Sequence, residues 1–193
     1  MSDTRERLLE VTARIFADAG YHGTTTRRIA QEAEINEVTL FRHFKTKEAL
    51  IQQALCSAGV RNRPTLDLNA ADPAEELHRW ASAVYHYFYE HRNLIRRLMA
   101  DMVERPEIAP TFCEDSNREH AQLIRYLEKL KQEGAAAPDL HPEAAAGSLL
   151  GALFANALWR DYYDQLPAPD ETVRLYVNFC LRAAGIGARR GTA

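Results

Sequence analysis

The segment from Gly20 to Leu50, GYHGTTTRRIAQEAEINEVTLFRHFKTKEAL, constrains the fold more than any other part of the chain. It divides into two short helices joined by the turn Glu34-Ile35-Asn36, and a third helix follows at once. In the second short helix, Glu37 to Phe44, a rotation of about 100° per residue puts Leu40 and Phe44 on one side. Val38 and Arg42 then point almost opposite, Thr39 lies beside them, and Phe41 and His43 flank the apolar stripe. Leu40 and Phe44 need a core to pack on, whereas the opposite side is too polar for one. A helix divided in this way suits the major groove of DNA, with its N-terminal residues nearest the base edges.

The elements around it have readable ends. Leu8, Thr12, Ile15 and Ala19 form one stripe of a first helix from about Thr4 to Ala19, with Leu9 and Phe16 beside it. Gly20 occupies its stop position, where a positive φ is easily reached. Thr25 or Thr26 caps the next helix, whose inward face is Ile29, Ala30 and Ala33; Asn36 and Thr46 cap the two after it. Between Ser57 and Pro73 the pattern breaks around Gly59, Pro64, Asp67 and Asn69, which predicts domains at residues 1–56 and 57–193. Asp72-Pro73-Ala74-Glu75 restarts a helix, with Asp capping, Pro in the first turn and Glu reaching back. That helix runs to about His91, and another follows to about Glu104. After Pro106 and Pro110 come Phe112 to Glu133, Pro142 to about Asp164, and Pro169 to about Ala184. Alternating strand patterns are missing. The expected fold is all-α with about nine helices: a three-helix helix-turn-helix domain, then a larger helical domain.

Composition narrows the function classes. The 193 residues are 46% hydrophobic, enough for a core, and no run of about 18 apolar residues suggests a membrane span. The charged start MSDTRERLLEV lacks a signal core, so the chain is expected in the cytoplasm, away from membranes. Cys56, Cys113 and Cys180 are too widely spaced for a metal knuckle or a disulfide framework, leaving reduced core thiols or a redox sensor. His86 and His91 stand five apart and share no helical face, so no metal and no cofactor is expected. The net charge of −3 is unusual for a nucleic-acid binder. Locally it reverses: Arg27, Arg28, Arg42, Lys45 and Lys47 outnumber Glu32, Glu34 and Glu37. So small a basic surface neutralises few phosphates and predicts modest non-specific affinity.

The candidate DNA-binding residues follow from their chemistry. Arg42 bonds guanine or phosphate, Thr39 a base or the backbone, and Val38 presents methyls to thymine. Glu37 accepts from a cytosine amino group but repels phosphate. His43 donates to phosphate, Phe41 offers apolar contact, and Lys47 suits a phosphate clamp beside helix-terminal amides. Arg27 enters the groove edge and Thr26 bonds phosphate.

Residues 4 to 55 resemble the N-terminal domain of the tetracycline-repressor (TetR) family of bacterial regulators. The resemblance rests on IFADAGY, GTTTRRIAQEA and VTLFRHFKTKEAL, above all on Thr39-Leu40-Phe41-x-His43-Phe44-x-Thr46-Lys47-Glu48. Glu34 stands where the family usually has Gly, and Phe41 where it has Tyr, removing a phenol that would bond phosphate. The resemblance implies a homodimer bound to a double-stranded operator. It also implies a C-terminal cavity whose small-molecule effector releases the DNA.

The C-terminal half offers aromatic candidates for that cavity. Trp80 to His91, WASAVYHYFYEH, carries a stripe of Leu77, Ala81, Val84, Phe88 and His91 beside Tyr85 and Tyr89. Rings with polar tips line pockets well. The candidates are Trp80, Tyr85, Phe88, Met99, Met102 and Trp159, with ordinary core packing the competing reading for each. The helix after Pro142 stacks small residues in two rows, Ala144-Ser148-Ala152 and Gly147-Gly151-Ala155. With the apolar side of the last helix (Val173, Tyr176, Val177, Cys180, Leu181) it predicts a four-helix dimer interface, packing within the chain being the alternative. The leading expectation is a ligand-responsive dimeric repressor without catalytic activity. The alternatives are a helical enzyme or carrier that merely contains such a bundle, and a structural DNA-binding protein without a ligand.

Overall fold

The computed structural model describes residues 2–60, 65–104 and 109–186. Among them are nine α-helices and one 3-10 turn, and no strand: α1 (Ser2–Gly23), α2 (Thr26–Glu32), α3 (Glu37–His43), α4 (Lys47–Val60), α5 (Pro73–Glu90), α6 (Arg92–Glu104), α7 (Ala109–Gln132), α8 (Pro142–Trp159), the 3-10 turn Arg160–Tyr162 and α9 (Pro169–Ala183). The chain folds as two compact units, residues 1–62 with 91–116 and residues 63–90 with 117–193. Helix α6, which the sequence pattern assigns to the second domain, therefore belongs by contact with α1 to α4.

Caps and periodicity build the first unit. Leu8, Leu9, Val11 and Ile15 of α1 enclose a core with Ile29, Ala30, Ala33, Leu40, Phe44, Leu50 and Ala54. A second cluster joins Phe16, Ile51 and Leu55 to Leu98 of α6, with Tyr21, Leu94 and Met102 against it. Helix α1 runs past its expected end, but Gly20 breaks its geometry (φ 65°, ψ −168°) and one more turn follows. The predicted caps are in place: Thr25 accepts from the Arg28 amide at 3.2 Å, Asn36 from the Val38 amide at 2.9 Å and Thr46 from the Ala49 amide at 3.1 Å.

In the second unit α5 packs on α8 and α9, which also pack on each other. Asp72 caps α5, accepting from the Ala74 and Glu75 amides at 2.9 and 3.1 Å. The glutamate that reaches back is Glu76, not Glu75: its carboxylate takes the Asp67 amide at 2.6 Å and is gripped by Arg79. The Arg79 guanidinium, aided by the Asp67 amide, holds the Glu76 carboxyl below its ordinary pKa. Helix α8 stops at Trp159 rather than near Asp164, because the chain tightens into the 3-10 turn. There Arg160 donates to Tyr85 Oη, Asn156 Oδ1 and Thr172 Oγ1, each at 3.2 Å, which ties the end of α8 to α5 and α9. Helix α7 begins at Ala109, so Pro110 lies in its first turn instead of in a break. It ends at Gln132, and Gly134, two residues on, takes the left-handed φ of 72°. No helix among the described residues is long and apolar enough to cross a membrane.

Candidate nucleic-acid interface

The helix-turn-helix is held from beneath. Leu40 is fully buried and Phe44 is 1% exposed, while Val38 is 68% and Phe41 45% exposed. Burying Leu40 and Phe44 removes a few kcal/mol of apolar surface from water and fixes the rotation of α3. The opposite face, with Val38, Arg42 and the half-buried Thr39, is thereby turned outward. Phe44 itself leaves the helix (φ −135°, ψ 118°) and ends α3 one residue earlier than its apolar spacing suggests. The Arg5 guanidinium sits 5.2 Å from the Phe44 ring centroid.

The turn before α3 is tight. Glu34 has a φ of 52°, the left-handed conformation that glycine adopts freely. The Ile35 amide closes the turn on the Ala30 carbonyl at 2.9 Å. Thr26 and Glu37, candidates on different helices, meet: Thr26 Oγ1 donates to the Glu37 carboxylate at 3.4 Å. That contact steadies the acidic side chain at the N-terminus of α3.

The cations divide into two groups. Arg28 is occupied, pairing with Glu32 at 2.9 Å and Asp18 at 3.3 Å, and those carboxylates raise its already high pKa. Arg14 also pairs with Glu32, at 3.0 Å. Arg27, Arg42 and Lys45 are exposed and carry no ion pair among the described residues. Arg42 and half-buried His43 share the last turn of α3, and the His43 ring lies 6.4 Å from that of Phe44. The positive charge available to a polyanion is thus smaller than the sequence count.

Lys47 is placed less freely than its position suggests. Its Nζ donates to the Tyr21 carbonyl at 2.8 Å and lies 4.0 Å from the centroid of the Tyr21 ring. The Tyr21 hydroxyl donates to Glu48 and holds that carboxyl below its ordinary pKa. The Tyr21 amide donates to Asp101 Oδ2 on α6 at 3.0 Å. Sequence reasoning missed Tyr21 and Asp101. The only local signal was an aromatic residue directly after a helix-stopping glycine.

The candidate effector residues do not converge in the same way. Trp80 and Tyr85 are fully buried and Phe88 is 8% exposed, all on α5. Phe88 meets Phe154 edge to face, with centroids 5.2 Å apart, and the Tyr85 hydroxyl donates to Asn156 at 2.8 Å. Trp80 Nε1 has no hydrogen-bond partner among the described residues. Trp159 is 44% exposed at the end of α8. Met99 and Met102 belong to the first unit, where Met102 packs on the Phe16 cluster. A groove of about 630 Å³ opens elsewhere in the second unit, between α8 and α9, and none of the six lines it. Its wall includes Ala144, Ser148, Ala152, Tyr176, Phe179 and Cys180. Burial pushes the Cys180 thiol above its ordinary pKa, which suits a core thiol; the side chains of Cys56 and Cys113 lie outside the described residues.

A short helix with a bare polar face, set by a buried stripe and a tight turn on two supporting helices, defines a helix-turn-helix DNA-binding protein. The model of the bacterial regulatory proteins of the tetR family matches residues 8–54, and that of the AefR-like transcriptional repressor C-terminal domain matches residues 54–182. The chain belongs to the TetR family and is a transcriptional regulator. It is 32% identical to the transcriptional repressor KstR2 of Mycolicibacterium smegmatis over 143 residues, 70% of this chain and 69% of KstR2. It is 28% identical to the HTH-type transcriptional regulator YerO of Bacillus subtilis over 144 residues, 68% of this chain but only half, 50%, of the length of YerO. A TetR-family regulator from Mesorhizobium loti shares the fold with a TM-score of 0.77, at 20% identity, over 94% of this chain and 96% of that one.

Proposed function

We propose that this regulator is a homodimeric repressor acting in the cytoplasm, without catalysis, and released from its operator by a small molecule. The observation that carries the DNA-binding part is the rotation of α3, which buries Leu40 and Phe44 and leaves Val38, Thr39, Phe41 and Arg42 toward solvent. In this reading Val38, Thr39, Arg42 and Glu37 meet base edges. Arg27, Thr26, Phe41, His43 and Lys47 lie along the phosphates. Two copies would place their α3 helices in successive major grooves, about 34–36 Å apart.

The α8–α9 face supports the dimer. Ala144, Gly147, Ser148, Gly151 and Ala155 are exposed in one stripe that continues into Trp159, and Phe179 beside it is 74% exposed. Small side chains let a second pair of helices approach closely, and the groove between α8 and α9 receives side chains of the other copy. For the effector, the buried indole N–H of Trp80 supports a site around α5, where an acceptor on the ligand would satisfy it. Trp80, Tyr85 and Phe88 would surround the ligand and Trp159 would close one end.

The test is a titration of DNA from upstream of its own gene, by gel shift and anisotropy, across a range of salt. Binding that prefers this DNA over a scrambled duplex and weakens with salt is expected. Binding without sequence preference refutes the operator reading. A Trp80→Phe variant that keeps every ligand-induced release refutes the effector site.

A further inference from the structure

We infer that Asp101 of α6 is a positioning residue for DNA binding, acting on Lys47 through the backbone of Tyr21. The inference rests on the proposed role of Lys47 as a phosphate contact.

The break in α1 at Gly20 exposes two helix ends at once. The carbonyl of Ala19 closes the long segment, and the amide of Tyr21 opens the last turn. One turn of α6 serves both with charges of the matching sign. Arg97 Nη2 donates to the Ala19 carbonyl at 3.4 Å, and Asp101 Oδ2 accepts from the Tyr21 amide at 3.0 Å. The two side chains pair with each other, Arg97 Nε standing 3.6 Å from Asp101 Oδ1. Asp101 is only 7% exposed, a buried carboxylate whose position this arrangement explains. The break requires glycine in α1, because its φ of 65° and ψ of −168° suit a residue without a Cβ, and a Cβ there would also push the Arg97 guanidinium, 2.0 Å away at Nε, from its place.

Tyr21 passes the constraint on. Its amide is fixed by Asp101, and its carbonyl and ring hold the Lys47 ammonium, at 2.8 Å from the oxygen and 4.0 Å from the ring centroid. Its hydroxyl is bound to Glu48 in the same first turn of α4. Lys47 therefore does not choose its own direction. One of the ammonium donors is given to the Tyr21 carbonyl, and that bond fixes the direction of the group. Without the Asp101 carboxylate, the Gly20–Tyr21 peptide is free to turn, and Lys47 loses its seat while keeping its charge.

A double-mutant cycle on DNA affinity tests this, using full-length protein and a fluorescein-labelled duplex from upstream of its gene. Lys47→Ala is expected to weaken binding several-fold in wild type and to have less than half that effect in Asp101→Ala. In Ile95→Ala, which removes a buried side chain of α6 outside the cluster that Tyr21 packs on, the Lys47→Ala loss is expected to stay at its wild-type size. Equal Lys47→Ala losses in wild type and Asp101→Ala overturn the relay. Lys47→Ala without effect in wild type removes the phosphate contact itself and the relay with it. Should Asp101→Ala not fold, Asp101→Leu, which fills the space but accepts no hydrogen bond from the Tyr21 amide, carries the same comparison. The Lys47→Ala loss is then expected to be smaller than in wild type, and equal losses again overturn the proposal.

Discussion

Replacing Glu34 by glycine should make the protein more stable, and the structure gives the size of the effect. Glu34 follows Ala33, the C-cap of α2, and has a φ of 52°. The backbone bonds of the turn do not involve its side chain: its amide donates to Gln31 O at 3.1 Å and the Ile35 amide to Ala30 O at 2.9 Å. The end of α7 repeats the pattern, Gly134 donating to Lys131 O at 3.1 Å and Ala135 to Leu130 O at 2.8 Å, with glycine at the left-handed position. A side chain in that conformation costs about 1–2 kcal/mol. Glycine gives back roughly 0.5–1 kcal/mol through the greater freedom of the unfolded chain. The net gain for Glu34→Gly is about 0.5–1 kcal/mol, which for a chain of this length is a rise in Tm of roughly 1–4 °C. Calorimetry at neutral pH measures it, with Glu34→Gln as the control. Gln keeps the Cβ and loses the charge, so its Tm should stay with wild type. An unchanged or lowered Tm for Glu34→Gly refutes the strain argument. An equal rise in Glu34→Gln assigns the gain to charge instead.

The remaining predictions concern affinity, assembly and pH. Phe41→Tyr restores a phenol on the exposed face of α3 and should tighten operator binding by about 1 kcal/mol, roughly fivefold, in a gel-shift titration; no gain would place Phe41 off the phosphate path. Phe179→Glu puts a charge on a side chain that is 74% exposed in the single chain, so it should leave the helical signal intact while converting dimer to monomer in sedimentation runs. A dimer that survives it argues against the α8–α9 face. Tyr126 donates to the Pro73 carbonyl at 3.2 Å, and burial pushes its pKa up to about 12. The neutral phenol is the form the fold favours, so its contribution is whole below an unfolded pKa of about 10 and is lost as pH rises toward about 12. Denaturant midpoints of wild type and Tyr126→Phe, measured across that interval, should converge as the wild type loses this term.

The parts of the fold that depend on near neighbours were legible in the sequence. Thr25, Asn36, Thr46 and Asp72 cap the helices they were expected to cap, because each bonds an amide two or three residues ahead. The outward face of α3 followed from the spacing of Leu40 and Phe44 alone. What escaped was fixed by distant partners. Met102 looked like a pocket residue by type, yet it packs on Phe16, and α6 joins the first unit through contacts with α1 that no local pattern announces. Asp101 lies 80 residues from the amide it serves, and nothing near it marks it as more than one acid on an amphipathic helix. The same limit explains the charge count. Arg27 and Arg28 are indistinguishable in sequence, but only Arg28 lies within reach of Asp18 on α1, so only Arg27 keeps its charge for a phosphate. Recognition by this family's segment is therefore two problems. Which face of α3 looks outward is settled by apolar spacing. Which cations on that side remain available is settled by acids elsewhere on the unit, and a search for DNA contacts that counts basic residues without their partners will overestimate both affinity and its salt dependence.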